Sequence, residues 1–192
     1  MEWAFSSAGD AIRVNGLLDD HHMLTTDNLE EIFNVVDIND KVIGQATRKE
    51  CNSNPKMIHR AVFVLIYNDY NEVLWQKRSQ TKDVSPSQWV TSVSGHVNAG
   101  DGYEETAVRE VREELGIEVS LEFLGKFLYR YRYENEYSAI FKAFSTGPFN
   151  YNTEEISAIK FMTIGELLEK ENEKELKVSK AVHYIIDSLS LY

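Results

Sequence analysis

A chain of 192 residues with 43% hydrophobic content has room for one packed domain of about 150 residues plus an extension. The formal net charge of −11 argues against a general nucleic-acid binder, which needs a basic face, but leaves a small phosphorylated substrate open. Cys51 is the only cysteine and no apolar run is long enough for a signal peptide or membrane span, so an intrachain disulfide and a cysteine-based zinc site are excluded and a cytoplasmic protein is expected.

Residues 1–29 carry Gly9, Gly16, Asp19, Asp20, His21 and His22 without a sustained period, and read as an N-terminal extension to a domain over 30–192. Adjacent histidines do not face one metal on a helix or strand, so His21–His22 reads as an exposed loop pair. From Glu31, two β-rich runs flank Asn39–Asp40 as a hairpin. AVFVLIYN (61–68) is nearly continuous in apolar residues, as in a strand buried on both faces. Asp69–Asn71 then turns the chain into EVLWQKRS. Lys77 and Arg78 end that run and Lys82 follows in the loop, candidates to clamp a diphosphate against the plainer reading of a solvated strand end. Trp75 and Trp89 read as core.

After WVTSVS, a helix is expected to start near Asp101, where Asp101 and Glu104 form a D-x-x-E signal, and to end at Leu115 with Gly116 left-handed. LEFLGKFLYRYRY and EYSAIFKAFS read as long strands reversing at Glu134–Asn135. Period two sets Tyr129, Tyr131 and Tyr133 on one face and Arg130 and Arg132 on the other, with the tyrosines favoured as core. EISAIKFMT reads as a strand, Thr163 with Glu166 as a capping box opening a helix, and Ser179–Leu189 as a last amphipathic helix bearing a surface His183. Strands first, one helix midway and helices last predict a mixed sheet flanked by helices in the α/β class.

Chemistry concentrates between Gly95 and Ile117. At about 100° per residue, Glu110, Glu113 and Glu114 fall within an arc of roughly 100° on one helix. Ala107, Val108, Val111 and Leu115 form the adjoining apolar stripe. Carboxylates crowded beside a buried face repel unless a cation sits among them, and oxygen ligands suit Mg²⁺ or Mn²⁺ with phosphate oxygens completing the shell.

The stretch resembles the Nudix box, G-x5-E-x7-R-E-U-x-E-E-x-G-U with U a bulky aliphatic residue. Gly95, Arg109, Glu110, Val111, Glu113, Glu114, Gly116 and Ile117 fall in register, and Asp101 replaces the family's first glutamate. The resemblance implies an αβα Nudix sandwich and metal-dependent cleavage of a diphosphate linkage by water. It implies Glu110, Glu113, Glu114 and the Ser94 carbonyl as metal ligands, Glu110 alternatively as base, and Arg109 as the group orienting them. Gly95, Asp101 and Gly116 become structural positions of the box.

IHRAVF (58–63), QKRSQTKD (76–83), SGHVNAGD (94–101) and ENEYS from Glu134 further resemble the isopentenyl-diphosphate-isomerase-like branch. In true isomerases the positions matching His59, His96, Glu134 and Glu136 bind a metal above the substrate. Ser94 replaces the isomerase's catalytic cysteine, and Asn52 stands where a further histidine ligand is expected. A serine hydroxyl does not ionise near neutral pH as a thiol does. His96 and Glu136 remain substrate-binding candidates beside Lys77, Arg78 and Lys82. The expectation is a hydrolase of a small nucleoside-diphosphate-type substrate, monomeric or homodimeric, with an isomerase and a non-catalytic nucleotide sensor as rivals.

Overall fold

The structure, a computed structural model, describes Thr25 and residues 27–131 and 134–191, with Glu134 by its main chain alone. His21, His22, Arg132 and Tyr133 lie outside the described residues. The hairpin predicted around Asn39–Asp40 pairs β1 (Ile32–Val36) with β2 (Val42–Thr47). Its turn is held by the Asp37 carboxylate, which accepts from the amides of Asn39 (2.8 Å) and Lys41 (3.0 Å). A short helix that the sequence reading missed, α1 (Arg48–Ser53), follows directly. Its signal was present in Thr47 and Glu50, which form the same reciprocal capping box that was recognised at Thr163 and Glu166.

The apolar run becomes β3 (His59–Tyr67). A turn with Asn71 at φ 61° leads into β4 (Val73–Arg78). These two strands pair only at Tyr67 and Val73, then part. Beyond that point β5 (Trp89–Val90) and β9 (Ile156–Met162) flank β4. On the other arm, β6 (Val93–His96) runs antiparallel along β3, and β8 (Glu134–Phe144) runs parallel to it. β7 (Glu122–Tyr131) closes that arm against β8. Tyr131 pairs with Glu134, so Glu134 and Asn135 open β8 and are not the reversal that the sequence suggested.

Where the arms separate, Ile66 N–H and Leu74 C=O would be left without strand partners. The fully buried Ser92 hydroxyl accepts from Ile66 N at 2.7 Å and donates to Leu74 O at 2.6 Å. One side chain thus closes both ladders at the apex of the fork.

Alternate residues of β3 feed two apolar layers, as its continuous hydrophobicity requires. Ala61, Phe63, Leu65 and Tyr67 pack toward α3 (Ile164–Asn172) and α4 (Lys180–Leu189) through Leu167, Val182, Ile185 and Ile186. Val62, Val64 and Ile66 pack toward α2 (Tyr103–Leu115) through Ala107, Val111 and Leu115. The result is the expected helix–sheet–helix sandwich with a mixed sheet. Trp75 is core and donates its indole N–H to Met162 O at 3.0 Å, while Trp89 is half-buried against the α3–α4 layer. Tyr129 is buried and packs against the Tyr184 ring at 5.1 Å.

Two details of α2 differ from the sequence reading. The helix begins at Tyr103 with Gly102 as its cap and no side-chain capping bond, because Asp101 is taken into a turn through its amide bond to Asn98 O. Val108 is 40% exposed, so the buried stripe is Ala107, Val111 and Leu115 without it. Gly116 ends the helix left-handed at φ 67°, as expected, and a Cβ there would lie 2.9 Å from Asn150 O.

Asp40 ties the hairpin to the rest. Its carboxylate accepts from Arg60 Nε (2.7 Å), Tyr103 OH (3.0 Å) and Lys126, which join β3, α2 and β7 to one turn. Burial raises the Asp40 pKa, but the bonds from Lys126, Arg60 and Tyr103 outweigh it and hold the carboxyl below its ordinary value. A depressed carboxyl stabilises the fold above its unfolded-state pKa, and that contribution is lost as pH falls through the folded-state value.

Two outcomes follow for equilibrium denaturation. Ser92→Ala leaves a buried donor and a buried acceptor unmet and should cost about 2 kcal/mol or more in ΔG from urea titration. Asp40→Asn should lower the urea midpoint at pH 7, with the gap to the parent chain shrinking as pH falls below 4; a constant gap across that range would refute the assigned cause.

Candidate active site

The fork opens a cavity of about 330 Å³, because β3 and β4 cannot both pair and diverge after Tyr67–Val73. Both arms line it: Ala61 and Phe63 from β3, Ser94–His96 from β6, Arg78 from β4 and Val90 from β5. One edge of α2 supplies Arg109, Glu110, Glu113 and Glu114. The three carboxylates that helical periodicity put in one arc therefore meet one space.

Their environments differ. Glu113 remains 57% exposed at its side chain, whereas Glu114 is buried and its Oε2 accepts from Gln76 Nε2 at 3.1 Å. Burial, with Glu110 and Glu155 nearby, pushes the Glu114 pKa well above the ordinary carboxylate range. Glu110 is raised to about 7, chiefly by burial and against the opposing pull of Arg109. Arg109 Nη1 lies 2.9 Å from Glu110 Oε1 and 3.1 Å from Glu113 Oε2, so one guanidinium nitrogen orients both. The buried Arg109 Nη2 has no hydrogen-bond partner among the described residues.

Gly95 explains how α2 comes so close to β6. A Cβ at that position would lie 2.6 Å from Glu110 Cγ and Oε1, so only a residue without a side chain leaves room for this carboxylate. Ser94 lines the cavity beside it. Three carboxylates, of which Glu110 and Glu113 pair with Arg109 while Glu114 feels the charge of Arg78, and two of which have raised pKa, fit a hard divalent cation.

A second donor group lies deeper. The parallel register sets His59 of β3 beside Glu136 of β8, while Ala61 pairs with His96 on the opposite edge. His59 Nε2 and His96 Nε2 lie 3.6 and 3.9 Å from Glu136 Oε2, and one ligand atom from each lies within 4.8 Å of the others. Among the described residues, neither ring nitrogen of the buried His59 has a hydrogen bond. Burial, with Arg48 adding to it, lowers His59 to about 4 and His96 well below its ordinary value, so both rings are neutral donors at pH 7. Phe33 stacks on both rings at 5.4 and 4.7 Å between centroids. The Glu134 side chain is outside what is described.

The basic candidates separate. Arg78 and Lys82 line the cavity, with Arg78 Nε donating to Val84 O at 2.8 Å and Lys82 paired to Asp27 (2.6 Å) and Glu155 (3.2 Å). Lys77 does not reach it; strand alternation turns it to the other face, into a depression with Trp89, Glu171 and Lys177. Asn52 donates to Asp83 Oδ2 at 3.4 Å, and His183 pairs with Glu171 at 2.9 Å. The charge of Asp101 contributes to raising the Arg109 pKa, after burial, which lowers it, and the adjacent Glu110 and Glu113.

Sequence reasoning missed Arg48, Gln76, Asp27, Asp83 and Glu155. Arg48 is buried at the first turn of α1, pairs with Asp27, Glu31 and Asp83, and lies 3.4 Å from His96 Nδ1. The Thr47–Glu50 capping signal would have set Arg48 at that helix start; nothing local marks the others.

The model of the NUDIX domain matches residues 57–182. The chain belongs to the Nudix family. An uncharacterized Nudix hydrolase of Pseudomonas aeruginosa is 32% identical over 160 residues, covering 83% of this chain and 89% of that one. An isopentenyl-diphosphate Delta-isomerase of Photorhabdus laumondii is 33% identical over 142 residues, 70% of this chain and 81% of that one. A crystal structure of a Deinococcus radiodurans protein superposes with a TM-score of 0.68 at 24% identity, covering 81% of this chain and 97% of that one, which speaks for the fold alone. Family and relatives make this Nudix chain a pyrophosphohydrolase, of a family that generally uses divalent metals. Among the described residues no helix is long and apolar enough to cross a membrane.

Gly95→Ala tests the close approach. It should keep the far-UV circular dichroism of the parent while weakening Mn²⁺ binding by about tenfold or more in calorimetry, since Glu110 must move. Unchanged Mn²⁺ affinity would separate Glu110 from the cation site.

Proposed function

We propose that this Nudix enzyme hydrolyses the diphosphate linkage of a small nucleoside-diphosphate-type substrate, with Mg²⁺ or Mn²⁺ held by Glu110, Glu113, Glu114 and the Ser94 carbonyl. The observation that carries the reading is the gathering of these carboxylates with Arg109 around one cavity that also holds cationic side chains. When bound, the divalent ions supply charge that offsets the phosphate oxygens and a more acidic water. The residues do the rest. Arg109 keeps Glu110 and Glu113 apart in charge and fixed in direction. Where Glu110 is not a metal ligand it suits the alternative role of base, taking the proton as water oxygen bonds to phosphorus and the bridging P–O bond breaks toward the leaving phosphate; burial raises its carboxyl to about 7. Glu114, anchored by Gln76, suits a fixed ligand, and Glu113 a mobile one. Arg78 and Lys82 suit the binding of phosphate oxygens.

A second reading, isomerisation of an allylic diphosphate, is favoured by the His59, His96 and Glu136 group and by the relative that carries the isomerase name. Ser94 counts against it, since the proton transfers of that reaction need a group that ionises more readily than a hydroxyl. A nucleotide sensor without turnover is the third reading, and the intact set of Arg109 and three glutamates speaks for chemistry instead.

A product-resolved assay with Mg²⁺ or Mn²⁺ over nucleoside di- and triphosphates, dinucleotides, ADP-sugars, CoA and isopentenyl diphosphate tests all three. Metal-dependent release of a monophosphate is expected, and Glu113→Gln should cut kcat about a thousandfold or more at unchanged Tm. Turnover that survives the substitution would take the chemistry away from the α2 carboxylates. Conversion of isopentenyl to dimethylallyl diphosphate would favour the isomerase instead.

A further inference from the structure

The cations of the cavity already hold an anion, and it belongs to the chain itself. The Asp27 side chain is 4% exposed. Its Oδ1 lies 2.6 Å from Lys82 Nζ and 3.2 Å from Arg48 Nη2. Its Oδ2 accepts from the Asp83 amide at 2.9 Å and from Thr25 Oγ1 at 3.0 Å. Two cations, a main-chain N–H and a hydroxyl on one carboxylate compose the donor set of a phosphate or carboxylate site. Asp27, Arg48 and Lys82 line the same cavity as Glu110, Glu113 and Glu114.

The local charge makes that occupancy consequential. Arg48 and Lys82 also contact Glu31, Asp83 and Glu155, so with Asp27 they face four carboxylates. A substrate phosphate entering beside them meets excess negative charge unless one carboxylate leaves. Two of the four, Glu31 and Glu155, are anchored through their own backbone carbonyls. Glu31 O accepts from Arg48 N at 2.7 Å and Glu155 O from Ser79 N at 2.8 Å, whereas the Asp83 amide donates to the Asp27 carboxylate. Among the described residues the Asp27 main chain has only the bond from its amide to Thr25 Oγ1, and it precedes β1. Displacing the Asp27 carboxylate keeps the main-chain bonds of Glu31 and Glu155 and frees the Asp83 amide, with Arg48 and Lys82, for an incoming anion. The Asp27 carboxyl is also held well below its ordinary value: burial raises it, and the bonds at Asp83, the charge of Arg48 and the bond from Lys82 outweigh that.

We propose that Asp27 is a tethered competitor, its carboxylate filling the anion subsite of Arg48, Lys82 and the Asp83 amide until a substrate phosphate displaces it. This inference rests on the proposed hydrolase reading for the identity of the incoming group. It makes the segment before β1 a built-in brake: the enzyme binds a polyphosphate only in the fraction of molecules whose Asp27 has swung out, which raises the apparent dissociation constant by that fraction.

The full-length chain and its Asp27→Asn variant, which keeps shape and drops charge, separate this from a purely structural role. With Mg²⁺ present, inorganic pyrophosphate should bind the variant about tenfold more tightly by calorimetry, and KM for the working substrate should fall by a similar factor at unchanged kcat. If Asp27 merely props Arg48 and Lys82 in place, affinity falls, and an unchanged or weaker constant overturns the proposal. Adding Lys82→Gln to Asp27→Asn should erase the gain. A second measurement uses the parent chain alone: pyrophosphate should speed hydrogen exchange in the peptide covering 27–31, and protection there would equally overturn the displacement. Tightened pyrophosphate binding without turnover of any diphosphate would defeat the hydrolase reading and leave the tethered carboxylate standing. Turnover without tightening would do the reverse.

Discussion

The architecture turns on the point where β3 and β4 stop pairing. A sheet that forks leaves backbone donors and acceptors on its inner edges, and buried groups of that kind cost too much to leave unmet. Ser92 settles the first pair with a single hydroxyl between Ile66 and Leu74. Past that apex, β6 takes over the edge of β3, and β5 and β9 take the two edges of β4. The space between the arms becomes a cavity with polar walls because strand ends and loops, not continuous ladders, border it.

That cavity is acidic within an acidic chain, and its charges are arranged in two tiers. On the α2 side, Glu110 and Glu114 are raised in pKa mainly by burial, with a single arginine between Glu110 and Glu113. Such a set is under electrostatic stress that a divalent cation relieves, which is the physical sense in which these residues suit a metal. On the opposite side, Arg48 and Lys82 face Asp27 and Glu31 from the segment before β1, Asp83 from the loop after β4 and Glu155 just ahead of β9, and Arg78 lines the same cavity. A diphosphate substrate needs both tiers, one to accept cations and one to accept phosphate oxygens.

Arg48 joins these tiers to the hairpin layer. The capping box of Thr47 and Glu50 starts α1, which sets a buried guanidinium against Asp27, Glu31 and Asp83 and within 3.4 Å of His96. Its positive charge also helps keep His59 and His96 neutral after burial has done most of that work. Phe33 from β1 covers both imidazoles. The segment before β1 and helix α1, which lie ahead of the matched Nudix residues 57–182, are therefore part of the cavity wall.

Local order was readable from the chain. The hairpin turn, the double-sided strand β3, the α2 carboxylate arc with its left-handed Gly116, and the capping box at Thr163 all follow from periods and caps that neighbouring residues impose on one another. The sequence by itself determined the box, the helix that carries it and the class of cation it suits, because those depend on spacings of a few residues. Tertiary structure alone decided that Lys77 turns away while Arg78 and Lys82 turn in, and that His59 lies beside Glu136 through a parallel register. It also decided that Gly95 makes room for Glu110 and that Asp27 sits on Arg48 and Lys82. Those outcomes depend on strand register and on where a forked sheet opens, and contacts between residues tens of positions apart leave no local period to read.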